Sequence, residues 1–198
     1  MQRIILVAAC LVLGACAAGI GLAPPPNLYR TGTNYPEAGV PPTLRTAEPR
    51  IFYMTDRAPE GAGYGSARSQ SMAFGAATIK FGRDLDWPEL LMRTRADSDQ
   101  NISTLWVPDV QELVRFEATP LPVQRKDGQL RHRADARDAY DAQARQFQAR
   151  IAAEIASTGN RRVLVYIHGF NNAFEDSLTA LANLWHFAGR QSVPVSFT

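Results

Sequence analysis

Cysteine is almost absent from this chain: Cys10 and Cys16 are the only two, and both fall in the first sixteen residues. Nothing downstream can therefore form a disulfide, a thiolate metal site or a cysteine nucleophile. Lysine is scarce as well, at Lys80 and Lys126 against nineteen arginines. The arginines are scattered rather than clustered, so the skew reads as genome composition. An excess of one charge sign is also lacking. The 21 basic and 19 acidic side chains leave a formal charge of +2, which excludes a nucleic-acid protein that binds by bulk electrostatics. What is present over 198 residues is 45% hydrophobic and 20% charged, values of a globular chain with one ordinary domain.

The N-terminus reads as an address. Arg3 precedes an apolar run from Ile4 to Leu13, too short to span a bilayer as a helix and suited to the h-region of a secretory signal. It ends in Leu13-Gly14-Ala15-Cys16, which resembles the lipobox of bacterial lipoproteins. The resemblance implies a signal peptide over 1–15, lipidation of Cys16 by a fatty acyl group such as palmitate, and a membrane anchor in the bacterial cell envelope. Ala17 follows the cysteine in place of an Asp retention signal, which favours the outer membrane over the periplasmic face of the inner one. Residues 17 to 49 hold seven of the thirteen prolines and no apolar period. The expectation is a Pro/Gly-rich tether over 16–49, leading to a folded part over 50–198.

In the folded part, Arg50–Met54 predicts a strand that ends at the turn signal Thr55–Pro59. Gly61–Ser66 reads as a flexible loop, Phe74–Phe81 as a second strand and Glu112–Ala118 as a third. Tyr140, Ala144, Phe147, Ile151 and Ile155 share one face of a helix over about 135–156, with Gly159 as its C-cap. Val163–Ile167 is a continuous apolar run suited to a parallel strand covered on both faces. A loop, His168–Asn172, follows, then a helix from about Phe174 and a strand from Val193. Strand, loop, helix, strand is a βαβ unit, and the class expected is α/β. His132 reads as a solvated loop residue and His186 as a helix-surface residue.

Val163–Phe170 resembles the α/β-hydrolase superfamily, in which the strand before the first helix ends in a His-Gly pair. Tyr166–Asp176, together with Phe52–Arg57 and with Tyr64–Ser69 followed by Phe74-Gly75, is similar to a bacterial family of esterase/lipase-like hydrolases of unknown function, number 900. That resemblance implies a truncated α/β-hydrolase-like, mostly parallel sheet with N-terminal antiparallel strands. It implies that Phe170 offers a backbone oxyanion donor, that Gly169 turns the chain and that His168 braces the loop. Backbone N–H groups aimed at a developing oxyanion are worth roughly 3 kcal/mol each in acyl transfer. Asn171 and Asn172 are expected to hold the loop and cap the helix.

The nucleophile of that fold sits in a Gly-x-Ser-x-Gly elbow, and no such pentapeptide occurs in these residues. Gly63-Tyr64-Gly65-Ser66-Ala67 lacks the last glycine, and Ser196 reads as structural. The chain closes on Val195–Thr198, inside an expected strand. The expectation is the N-terminal fragment of an envelope-anchored serine hydrolase that lacks nucleophile, acid and base and is inactive alone. The alternative is a non-catalytic envelope lipoprotein whose hydrolase-like domain binds or scaffolds. Expected partners are the membrane, through Cys16, and a small-molecule or lipid ester for the full-length protein. No nucleic acid, cofactor or metal is expected.

Overall fold

The computed structural model describes residues 20–21, 35–95 and 104–198. The signal segment and Cys16 lie outside the described residues. A hairpin dominates the first half, made of β2 (Arg50–Glu60) and β3 (Gly63–Phe81), preceded in the chain by a two-residue strand β1 (Ile20–Gly21). In β2 the side chains alternate. Ile51, Tyr53, Thr55 and Arg57 are buried on one face, and Phe52 and Met54 pack on the other, the period of 2 that a pleated strand imposes. The turn expected at Thr55–Pro59 is strand instead. Register shifts after Thr55 and after Arg57 absorb the irregularity, so β2 continues through Pro59. The loop expected at Gly61–Ser66 shrinks to a tight turn at Gly61, whose φ is 58°, because β3 begins at Gly63.

After α1 (Trp87–Arg95) comes β4 (Thr104–Arg115), longer than the strand expected at 112–118. Opposite Phe74-Gly75 it carries a one-residue bulge at Leu113, which lets Leu113, Val114 and Phe116 join one apolar cluster. A detached hairpin, β5 (Val123–Lys126) with β6 (Gln129–His132), turns at Asp127-Gly128 and leaves His132 exposed. It leads to α2 (Ala134–Thr158), which Gly159 ends in the left-handed conformation at φ 68°. Then follow β7 (Val163–Ile167), α3 (Phe174–Phe187) and β8 (Val193–Phe197).

The main sheet runs β1-β4-β3-β2-β8-β7. Its first three pairings are antiparallel, while β2/β8 and β8/β7 are parallel. The chain is thus α/β with a mixed sheet, and the antiparallel part is larger than expected because β2, β3 and β4 all run past their sequence signals. One face carries α3, α1 and the segment 35–49. The other carries α2, whose Tyr140, Ala144, Phe147 and Ile151 cover Phe74, Val114 and Phe116. Phe147 meets Phe74 edge-on at 4.8 Å between ring centroids.

Three sequence expectations change here. Part of the 16–49 tether is packed structure: Tyr35, Val40, Leu44 and Ala47 are buried in the main core, on or beside two short 3-10 turns at Glu37–Gly39 and Pro42–Leu44. Their irregular spacing carries no period, and Pro36, Pro41 and Pro42 open those turns. The strand β7 is covered on one face only. Leu164 and Tyr166 pack inward, whereas Val163, Val165 and Ile167 are 43%, 57% and 70% exposed, because α2 lies over β3 and β4.

His186 is the third. It is fully buried, since α3 is covered by the sheet on one side and by Tyr35 and α1 on the other. Arg190, buried with it at φ 52°, donates from Nε to His186 Nδ1 (3.1 Å) and from Nη1 to the carbonyls of Leu44 and Thr46. Its guanidinium lies about 5 Å from the ring centroids of Phe81, Trp87 and Trp185, a cation–π cage in place of a carboxylate partner. Because Nδ1 accepts that bond, the imidazole proton sits on Nε2, 2.7 Å from Thr94 Oγ1. Burial first, and the Arg190 charge second, hold His186 well below the ordinary imidazole range.

A pH dependence follows. The unfolded chain takes up a proton near pH 6.5 that the folded chain refuses. Stability is therefore full above that pH and falls as the pH drops, by at most ~1.4 kcal/mol per unit for this one group. Urea midpoints between pH 7.5 and 5 will show the loss, and His186→Gln will flatten it; an unchanged slope in that variant sinks the assignment.

Candidate functional site

At the carboxyl ends of parallel strands the chain must leave the sheet, and backbone groups that strands would pair become available to a ligand. Here β7 ends at Ile167 and α3 begins at Phe174, so 168–173 is that exit loop. His168 and Asn172 are half-buried, while Gly169, Phe170, Asn171 and Ala173 are exposed. The Phe170 side chain is 100% exposed. Among the described residues no acceptor takes its backbone N–H.

The loop is held by few bonds. His168 Nδ1 donates to the Gly169 carbonyl at 2.6 Å. The left-handed residue is Asn171, at φ 59°, not Gly169. A Cβ at Gly169 would meet nothing within 4 Å, so the turn expected of the glycine is made by the asparagine, a residue type that tolerates this region. Neither asparagine caps α3. Asp176 does so by accepting the Ala173 N–H at Oδ2, 2.9 Å away, the reach-back half of a capping box. Asn172 is tied by its backbone: its carbonyl accepts from Arg57 Nη2 at 2.7 Å.

Beneath the loop sits an aromatic floor. Phe174 meets Tyr53 edge-on at 5.1 Å and Tyr64 at 4.9 Å between centroids. Tyr64 donates to Glu112 Oε2 at 2.6 Å, and Glu112 pairs with Arg115. Burial, followed by the bond to Glu112, drives the Tyr64 phenol above its ordinary range, so this hydroxyl is a fixed donor at any physiological pH. Tyr53 can lie flat over Gly75 only because that residue is glycine: a methyl there would overlap the phenol ring and the Gln111 carbonyl.

The remaining serine candidates are placed elsewhere. Ser196 is buried, 2.7 Å from Ser177 Oγ, as a bond between β8 and α3. Ser66 is exposed on β3. Two open grooves among the described residues, about 500 Å³ beside Glu37, Leu91 and Arg95 and about 410 Å³ beside Glu117, Arg133 and Asp135, are not lined by the exit loop. No cluster of three or more potential metal ligands occurs among the described residues. None of their helices is long and apolar enough to cross a membrane.

Residues 143–198 match the family described as "Alpha/beta hydrolase of unknown function (DUF900)". This segment is α/β-hydrolase-like. It takes in most of α2 and all of β7, the exit loop, α3 and β8. No curated protein and no solved structure matches the chain.

Of the residues singled out from sequence, His168, Gly169 and Phe170 lie together on the exit loop, and Cys16 lies outside the described residues. Two roles that matter to the loop were missed. Asp176 had a signal, an acid three residues into a helix after a non-helical residue; the buried role of Arg57 had none. Replacing Asp176 with Ala is expected to lower stability by about 1 kcal/mol through loss of the cap. Urea denaturation checks this, and a midpoint unchanged within error would remove the carboxylate from the account of the loop.

Proposed function

We propose that this chain carries the oxyanion-loop part of a serine esterase- or lipase-like α/β-hydrolase, held to the cell envelope by lipid on Cys16. The observation that carries the reading is the N–H of Phe170, which no acceptor takes among the described residues, on an exposed loop after a parallel strand and inside the segment that matches the hydrolase family. As an ester carbonyl is attacked, its oxygen gains negative charge. A donor already fixed beside that position stabilises the charge without reorganising. The helix that follows adds its positive end, since α3 opens within a few residues of Phe170. The chain contains no Gly-x-Ser-x-Gly elbow, so nucleophile, acid and base are assigned to sequence outside these 198 residues, and these residues alone have no turnover. A fluorophosphonate probe should leave the chain unlabelled. Strong labelling abolished by replacing one serine would overturn that assignment.

The absent elbow also favours a second reading, a non-catalytic lipoprotein that binds through its hydrolase-like domain. Reading the source DNA beyond codon 198 separates the two, because the hydrolase reading requires an in-frame Gly-x-Ser-x-Gly. In a product that carries such an elbow, Phe170→Pro deletes the N–H and is expected to lower kcat on p-nitrophenyl esters by about 10²–10³-fold. Phe170→Ala keeps the donor and should cost under about tenfold; equal losses would remove the backbone role. For the anchor, alkyne-palmitate fed to expressing cells should label the wild type and not Cys16→Ser. Equal labelling of both would refute it.

A further inference from the structure

Arg57 is 9% exposed and no carboxylate pairs with it among the described residues. Burying a guanidinium without a counterion is costly unless its donors are satisfied, and here each nitrogen has a separate acceptor. Nε donates to Thr198 Oγ1 at 2.8 Å, just beyond β8. Nη1 donates to the Gly65 carbonyl of β3 at 3.1 Å. Nη2 donates to the Asn172 carbonyl of the exit loop at 2.7 Å. Three chain segments far apart in sequence thus meet on one planar ion.

The geometry points to Arg57 as the positioning residue of the exit loop: its guanidinium fastens the carbonyl of Asn172 to the ends of β2, β3 and β8, and so presets the backbone that carries the Phe170 N–H. This rests on the oxyanion-loop reading. The planar fork suits the task, since its donors diverge in fixed directions and satisfy three acceptors at once. A lysine ammonium is a point charge on a flexible stem that does not hold such a fixed fork. The other fastenings are local. His168 bonds its own neighbour and Asp176 bonds the first turn of α3, so among the described hydrogen bonds Arg57 alone ties the loop backbone to a remote strand.

The test is backbone ¹⁵N relaxation of the Gly169, Phe170 and Asn171 amides in the whole chain. In the wild type the order parameters should match the rigid core, about 0.85, and in Arg57→Gln they should fall below about 0.6 while those of α2 stay unchanged. Arg57→Lys, which keeps charge and stem, should loosen the loop as well. Wild-type amides already below about 0.6 would overturn the proposal without any variant, which covers the case that Arg57→Gln does not fold. A Lys variant as ordered as the wild type would overturn the forked clamp. The outcome is separable from the catalytic reading: an ordered loop with equal Phe170→Pro and Phe170→Ala losses keeps the clamp and discards the chemistry.

Discussion

The pairing of β8 between β2 and β7 is the constraint on which the rest of the structure depends. Phe52–Met54 against Val195–Phe197 is the backbone ladder that joins the N-terminal hairpin to the βαβ unit. Pro194 shows how closely the ladder is specified. Val193 donates toward β7, to the Arg162 carbonyl, and Thr198 toward β2, to Met54. The even-numbered residues of β8 therefore turn their nitrogens to β2, and Pro194 stands where the β2 pairing has not yet begun. A proline inside a central strand usually forfeits a hydrogen bond; here none is lost.

Once β8 is in place, the position of the exit loop follows. Its two ends are fixed by β7 and α3, its middle by the Arg57 bond to Asn172 and by Phe174 on Tyr53 and Tyr64. On the opposite flank of α3, Arg190 binds the segment 35–49 to the same helix. Two buried arginines, each without a carboxylate partner among the described residues, thus hold α3 and its entrance against the rest of the molecule. Arg190 relies on aromatic faces, with burial lowering its pKa to about 10. Arg57 relies on carbonyls and a hydroxyl.

The βαβ unit was legible in the sequence for plain physical reasons. An apolar run of five residues, a loop of Gly and Asn, and a helix with acids in its first turn are strong local signals, and they fell at β7, the exit loop and α3. The stripe Tyr140, Ala144, Phe147, Ile151 likewise fixed the buried face of α2. What escaped was set by tertiary contacts. Tyr35, Val40 and Leu44 have no period, α1 spans too few residues to announce itself, and Pro59 and Gly63 look like turn residues until bulges absorb them. Asp127-Gly128 was a readable hairpin signal. In the site, the exit loop after β7 could be placed from sequence, whereas the residue that makes the left-handed turn, Asn171 in place of Gly169, depends on a dihedral that the residue types alone do not decide.

The strand order also carries a consequence in time. Chains are made from the N-terminus, and local hairpins close long before distant segments are available. β2 and β3 are next to each other in sequence and can pair as soon as they emerge, but the β2 edge that will take up β8 waits until synthesis has passed α2, β7 and α3 and reached Phe197. Until α2 emerges, Phe52 and Met54 lie on that open edge without its cover. The nascent protein is thus adhesive along this edge until β8 emerges, a period set by topology rather than by final stability.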